Sequence, residues 1–271
     1  MLKGNAVIGQ SGGPTAAINA TLAGVVRGLL EADCIGEIYG MRNGVEGLLD
    51  LRLINLREAI CGEEALCLLS HTPAAALGSC RKKLPEVDGD DNEYRELFSI
   101  LEEYDIRYFF YIGGNDSMDT VAKVSAYAQK VGYEMRVMGV PKTIDNDVMG
   151  TDHTPGYGSA AKFIATSMQE ILRDCAVYTV PAVTVVEIMG RDAGWLTAAA
   201  ALPRLHSDIA PDYVYLPERS FDMDRFFEDI EAALRRHPNL ERCPGLVVGA
   251  PSRSDRRLTG YKVGHGPRDH R

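Results

Sequence analysis

A doubly wound α/β fold built on a mostly parallel sheet is the architecture that this 271-residue chain predicts. Short apolar runs alternate with longer segments of helical spacing, the pattern of a parallel sheet covered on both faces. Several of these runs end in glycine-rich polar turns, and in such folds ligands bind beyond the carboxyl ends of the strands. Strands are expected at residues 5–9, 108–112, 136–140, 183–188, 213–216 and 246–248. Helices are expected at 16–30, 118–131, 160–172 and 222–236, with another starting near Tyr94 after the acidic, glycine-bearing stretch 86–93. Val183-Thr184-Val185-Val186 is an unbroken β-prone run, which predicts a strand buried on both faces. The small residues Ala198–Ala201 predict a tightly packed helix over 193–205, and Trp195 reads as a packing residue.

Hydrophobic content of 45% and charged content of 25% fit an ordinary globular protein. A net charge of -9 argues against nucleic acid or an anionic membrane as the main partner, yet leaves room for phosphates captured by local fields. The opening Met1-Leu2-Lys3-Gly4-Asn5 has no apolar stretch behind it, so no signal peptide is expected. No window reaches the roughly 18 apolar residues that a bilayer span requires. The six cysteines (34, 61, 67, 80, 175 and 243) show no metal-type spacing and read as reduced thiols. After Gly249 the composition changes: residues 249–271 carry six Lys/Arg against two Asp/Glu, and hydrophobic periodicity stops.

Three turns carry the chemistry. Gly9-Gln10-Ser11-Gly12-Gly13-Pro14-Thr15 lies between a strand and a helix, where glycines admit a close anion and the helix N-terminus supplies free N–H groups. Gly113-Gly114-Asn115-Asp116-Ser117 opens the next such helix. Asp and Ser are good caps, but capping explains one polar residue better than three, so a phosphate or Mg²⁺ role is expected. The third is Pro141-Lys142-Thr143-Ile144-Asp145-Asn146-Asp147. If this run is extended, Thr143, Asp145 and Asp147 project the same way. Two carboxylates facing one cleft are costly unless a cation or a proton is shared between them.

With Gly12-Gly13, these turns, Thr151-Asp152-His153-Thr154-Pro155-Gly156-Tyr157-Gly158 and Glu187-Ile188-Met189-Gly190-Arg191 form an ordered set over residues 3–248. The set resembles the phosphofructokinase family, specifically its pyrophosphate-dependent branch. The resemblance implies phosphoryl transfer from pyrophosphate to the 1-hydroxyl of fructose 6-phosphate with Mg²⁺, in a cytoplasmic homo-oligomer. It implies that Gly12, Arg81, Gly114, Asp116 and Ser117 bind the donor, and that Asn115 and Asp116 serve the metal. Asp145 resembles the general base, Asp147 its partner, and Lys142 and Thr143 groups at the transferring phosphoryl. Thr143, Ile144, Asp145, Met189, Gly190 and Arg191 are implied to hold the sugar phosphate.

The same resemblance divides the chain into a donor subdomain at 1–140, an incomplete sugar-phosphate subdomain at 141–248 and an atypical basic tail at 249–271. Relatives run on further, so a C-terminal truncation is expected. A partner-dependent or inactive homologue, and a kinase using ATP or another hydroxyl, are the alternative readings. Asp116 and Lys142 stand where ATP-using relatives have glycine. A carboxylate ~4 Å from an α-phosphate repels it by about 4 kcal/mol at an effective dielectric near 20, or roughly three decades of affinity.

Overall fold

The computed structural model describes residues 2–177, 183–190, 192–207, 210–236 and, by their backbone, 245–249. It divides into two compact units: Met1–Ile144 with Val148–Gly156, and Asp145–Asp147 with the chain from Tyr157 onward.

The first unit runs β1 (Gly4–Gln10), α1 (Ile18–Leu30), β2 (Ile35–Met41), α2 (Gly44–Leu49), β3 (Leu53–Asn55), α3 (Leu56–Ala59) and α4 (Gly62–His71). It continues through α5 (Asn92–Glu103), β4 (Ile106–Gly113), α6 (Asn115–Val131) and β5 (Arg136–Pro141). The strands lie in the order β3-β2-β1-β4-β5, and only the short edge strand β3 runs antiparallel. Side chains that alternate along β1 feed two separate cores. Val7 joins Met41, Phe109, Tyr111, Leu97 and Tyr127 on the face covered by α2, α5 and α6. Ala6 and Ile8 join Ile18, Leu22, Val26 and Leu66 on the face covered by α1 and α4. Burial on both faces is why β1 reads as an unbroken apolar run. Because β1 and β4 are neighbours while their following helices cover opposite faces, their carboxyl ends form a topological switch point, the place where folds of this kind bind ligands.

The second unit contains α7 (Tyr157–Cys175), β6 (Thr184–Ile188), α8 (Trp195–Ala199), β7 (Tyr213–Tyr215), α9 (Met223–Arg236) and β8 (Gly245–Gly249). Its three strands are parallel in the order β6-β8-β7. Tyr215 packs edge-on against Phe221 and Phe226, tying β7 to α9.

The predicted fold class is the observed one, but three local expectations fail. β6 is not buried on both faces: Val185 and Glu187 are exposed while Ile188 is buried. The helix expected over 193–205 is a five-residue α8 followed by a 3₁₀ turn at Leu202–Leu205, where Pro203 cannot donate an α-helical hydrogen bond. Trp195 is 53% exposed and meets Tyr157 edge-on instead of filling a core. The described cysteines 34, 61, 67, 80 and 175 are free thiols, as expected. Among the described residues no helix is long and apolar enough to cross a membrane. The strand expected at 246–248 is the centre of β8, whereas the basic tail beyond Gly249 lies outside the described residues.

Candidate active site

Two glycine turns meet where β1 and β4 end. The Ser11 N–H donates to Ile112 O at 2.9 Å, and the Lys142 N–H donates to Gly113 O at 2.8 Å, so the turns after β1, β4 and β5 are laced together. Gly12 sits at φ +79°, a left-handed conformation that costs a residue with a Cβ about 1–2 kcal/mol. Gly113 is required by close approach, since an added Cβ would lie 1.9 Å from Ser117 Oγ.

Lys142 is 3% exposed, and its ammonium donates to Gly13 O. An added Cβ at Gly12 would lie 3.7 Å from Lys142 Nζ, which places that charge beside the first turn. Burial of a lysine is expensive unless it is hydrogen-bonded and faces negative charge. Thr143 follows it, and Thr154 Oγ1 donates to Thr143 O at 2.5 Å, pinning the chain just past β5. Ile144 lies beside Gly156, at 3.5 Å from the Cβ that an alanine would place there. Among the described residues Thr15 Oγ1, at the end of the first turn, is buried and finds no hydrogen-bond partner.

The second turn differs in detail from expectation. Gly114 is the N-cap of α6, so Asn115, Asp116 and Ser117 lie inside the helix and none of them is its cap. Ser117 is 2% exposed and packs against Gly113, while Asn115 and Asp116 are exposed. Asp116 pairs with Lys83 at 3.0 Å, and its place in the first turn of α6 suits a carboxylate. Among the described residues no group of three or more His, Cys, Asp or Glu is placed to hold a metal ion. Asn115 and Asp116 both offer oxygen atoms of the kind hard cations take, at the start of α6, and Asp116 also pairs with Lys83 in an exposed ion pair.

A loop links the two turns. The Gly12 N–H donates to Cys80 O at 3.1 Å, Ser11 Oγ donates to Cys80 O at 3.4 Å, and Ser79 Oγ donates to Gly12 O. Arg81, exposed, is the next residue, and Lys83 then reaches Asp116. Beneath the loop, Tyr111 OH lies 3.4 Å from Cys80 Sγ and accepts from the Val45 N–H, and burial pushes this phenol well above its ordinary range. Gln10 and Asn19 hold the other side. Gln10 Nε2 donates to Asn19 Oδ1 at 2.9 Å, and Gln10 Oε1 accepts from the Leu77 N–H. Asn19 Nδ2 donates to Thr72 O and Ala74 O, and its Oδ1 accepts from the Ala76 N–H. Both side chains are fully buried, so this network fixes the loop to the first turn.

Neither amide stood out in the sequence. The signal present was a buried-strand pattern closed by glutamine directly before a glycine turn, with an asparagine nine residues on. Lys83 was also missed, because a lysine in a basic triplet resembles any solvated loop.

Asp145 and Asp147 group with the second unit and are half-buried. Asn146 between them is buried at φ +56°, so the run is not extended and the predicted alternation of side chains does not apply. Elsewhere in that unit Met189 is exposed, and Gly190 at φ +135° turns close to Ala193 O. Arg191 lies outside the described residues.

The phosphofructokinase family model matches residues 5–262. A pyrophosphate--fructose 6-phosphate 1-phosphotransferase of Halomonas elongata is 43% identical over 241 residues, 87% of this chain and 57% of its own length. The enzyme of the same name from Xanthomonas campestris is 44% identical over 238 residues, 87% of this chain and 56% of its own. The crystal structure of a pyrophosphate-dependent phosphofructokinase from Nitrosospira multiformis superposes with a TM-score of 0.79 at 39% identity, covering 92% of this chain and 60% of that one. This chain therefore spans little more than half the length of the curated relatives it matches.

Proposed function

The chain belongs to the phosphofructokinase family, and from that premise we propose that it transfers a phosphoryl group from pyrophosphate to the 1-hydroxyl of fructose 6-phosphate. One observation carries the reading: a buried lysine ammonium beside a left-handed glycine, where the ends of β1, β4 and β5 meet. Such a cradle suits a compact, highly charged anion that needs no base or ribose anchor. Thr15 adds a buried hydroxyl able to donate to a phosphate oxygen.

Phosphoryl transfer asks the protein for positioning and charge neutralisation more than for covalent work. In the proposed reaction the 1-hydroxyl loses its proton to Asp145, its oxygen bonds to the near phosphorus of pyrophosphate, and the bridging P–O bond breaks to release phosphate. Asp147 orients Asp145, and Lys142 offsets the charge that builds on the transferring and leaving oxygens. Thr143 and Ile144 border the reacting groups, with Met189, Gly190 and Arg191 at the sugar phosphate. Gly12, Arg81, Gly114 and Ser117 form the donor side. Magnesium would enter with the substrate as the pyrophosphate complex, with Asn115 and Asp116 as the residues that would hold it. The proposal places the enzyme in the cytoplasm as a homo-oligomer.

Asp116 disfavours a nucleotide donor less than its bare charge suggests. Lys83 matches it and it is 62% exposed. At a dielectric near that of water the repulsion at ~4 Å falls to about 1 kcal/mol, less than one decade of affinity. Lys142, buried, is the stronger determinant of donor. A coupled assay with pyrophosphate, magnesium and fructose 6-phosphate tests the reading: fructose 1,6-bisphosphate should form, and Asp145→Ala should lower turnover by about 10³-fold. ATP used better than pyrophosphate, or an Asp145→Ala chain as active as the parent, overturns it.

A further inference from the structure

Lys123 stands apart from every motif, near the middle of α6, yet it holds the loop that joins the two glycine turns. Its ammonium makes ion pairs of 2.9 Å with both Glu86 and Asp119 and donates to Leu84 O at 3.2 Å. The side chain is only 13% exposed, and the hydrogen bond to Glu86, then that to Asp119, raises its pKa above the ordinary lysine range. Two further contacts fasten the same stretch: Tyr94 OH donates to Pro85 O at 2.5 Å, and Lys130 donates to Val87 O at 2.9 Å. Upstream, Cys80 is bound to Gly12, and Lys83 is bound to Asp116.

The segment 80–87 is thus a strap attached at the first turn, at the start of α6 and along the flank of α6. Arg81 rides on it, exposed, between the Cys80 and Lys83 attachments. Long basic side chains lose much entropy when they grip a ligand, and a prefixed backbone lowers that cost. We infer that Lys123 is a positioning residue for donor binding: by clamping residues 84–87 to α6 it presents the Arg81–Lys83 strap to pyrophosphate. The inference rests on the donor assignment above.

The test uses the whole chain as parent, Lys123→Met, Lys123→Arg and Glu86→Gln. Glu86 is a strap residue whose side chain is 83% exposed, so its substitution breaks one arm of the clamp without touching a core. Calorimetric titration with magnesium pyrophosphate and, separately, with fructose 6-phosphate is paired with hydrogen exchange of peptides covering 78–90. Lys123→Met should weaken pyrophosphate by about tenfold, Glu86→Gln by about threefold, and Lys123→Arg should restore most of the loss. Fructose 6-phosphate affinity should stay within about twofold of the parent, and strap amides should exchange faster in both clamp-breaking variants.

Unchanged strap exchange overturns the clamp. So does faster exchange with parental pyrophosphate affinity in Glu86→Gln, or an equal loss for both ligands, the signature of a merely structural role. A parent chain that binds no pyrophosphate overturns the donor assignment itself and takes this role of Lys123 with it.

Discussion

Asn19 gives the sharpest stability prediction. Its amide makes four hydrogen bonds: it donates to Thr72 O at 2.8 Å and Ala74 O at 2.7 Å, and accepts from the Ala76 N–H and Gln10 Nε2, each at 2.9 Å. In Asn19→Ala all four are lost. Ala74 and Ala76 are exposed and Thr72 is half-buried, so water reaches the freed backbone groups and their loss is small. Gln10 is fully buried and keeps only its 3.2 Å bond to Ile18 O on the donor side, so its second N–H is stranded. One stranded buried donor at about 2 kcal/mol, plus about 1 kcal/mol for the solvated remainder, gives about 3 kcal/mol. Hydrogen exchange at the amides of β1 and β4 under increasing urea reads the first unit without the second. A loss under about 1 kcal/mol refutes the network argument.

Asn19→Asp should make the stability of the first unit depend on pH. A carboxylate oxygen would face the carbonyl oxygens of Thr72 and Ala74, which favours the protonated acid in the folded state. The folded pKa then rises above the ordinary ~3.9, so the folded state binds the extra proton and this variant gains stability as pH falls from about 7 to 5. The parent should show no such gain relative to Asn19→Ala.

Three other outcomes are expected. Gly113→Ala should destabilise the first unit by about 3 kcal/mol, since the new Cβ would lie 1.9 Å from Ser117 Oγ; adding Ser117→Gly should recover part of the loss in a double-mutant cycle of urea midpoints. Asp116→Gly should raise the ratio of ATP to pyrophosphate turnover by less than about tenfold in a donor-competition assay, because Lys83 already matches that charge. The Lys123 pKa is raised by folding, so its contribution is whole below ~10.4 and lost as pH climbs past the folded value. The urea-midpoint gap between parent and Lys123→Met should therefore hold from pH 6 to about 9 and narrow above about 10.5.

Much of the architecture was legible because parallel strands buried on both faces leave unbroken apolar runs. β1 and β4 declared themselves that way, and β5 showed as a short apolar run although it is the exposed edge strand; the turns after all three fell at the sheet's carboxyl edge. β2 was missed because Gly36, Glu37 and Gly40 interrupt its apolar pattern; Gly36 makes room for Asn5 Oδ1, and Gly40 is crowded by Leu77 and Leu56. Those are demands of packing, invisible in one sequence. The three-residue β3 and the short α2 and α3 carry too few residues for any periodicity.

The glycine turns, Lys142 and the 145–147 acids stood out in the sequence as candidates for chemistry, since charge of that density on glycine-flanked turns has few structural explanations. The geometry of the acids was not: Asn146 tolerates a left-handed backbone better than most residues, and nothing in an alternating T-x-D-x-D string shows whether it adopts one. The strap was hidden for a different reason. Its order comes from Lys123, Lys130 and Tyr94, side chains on two helices that follow it in sequence, and single charges on helices read as solvated faces.

Pyrophosphate affinity of the parent chain against Lys142→Met, by calorimetry in saturating magnesium, is the most direct measurement. A buried ammonium at the meeting of the turns should make the parent bind and should cost the variant at least about tenfold, with its far-UV spectrum unchanged. Equal affinities in the two chains would contradict the account.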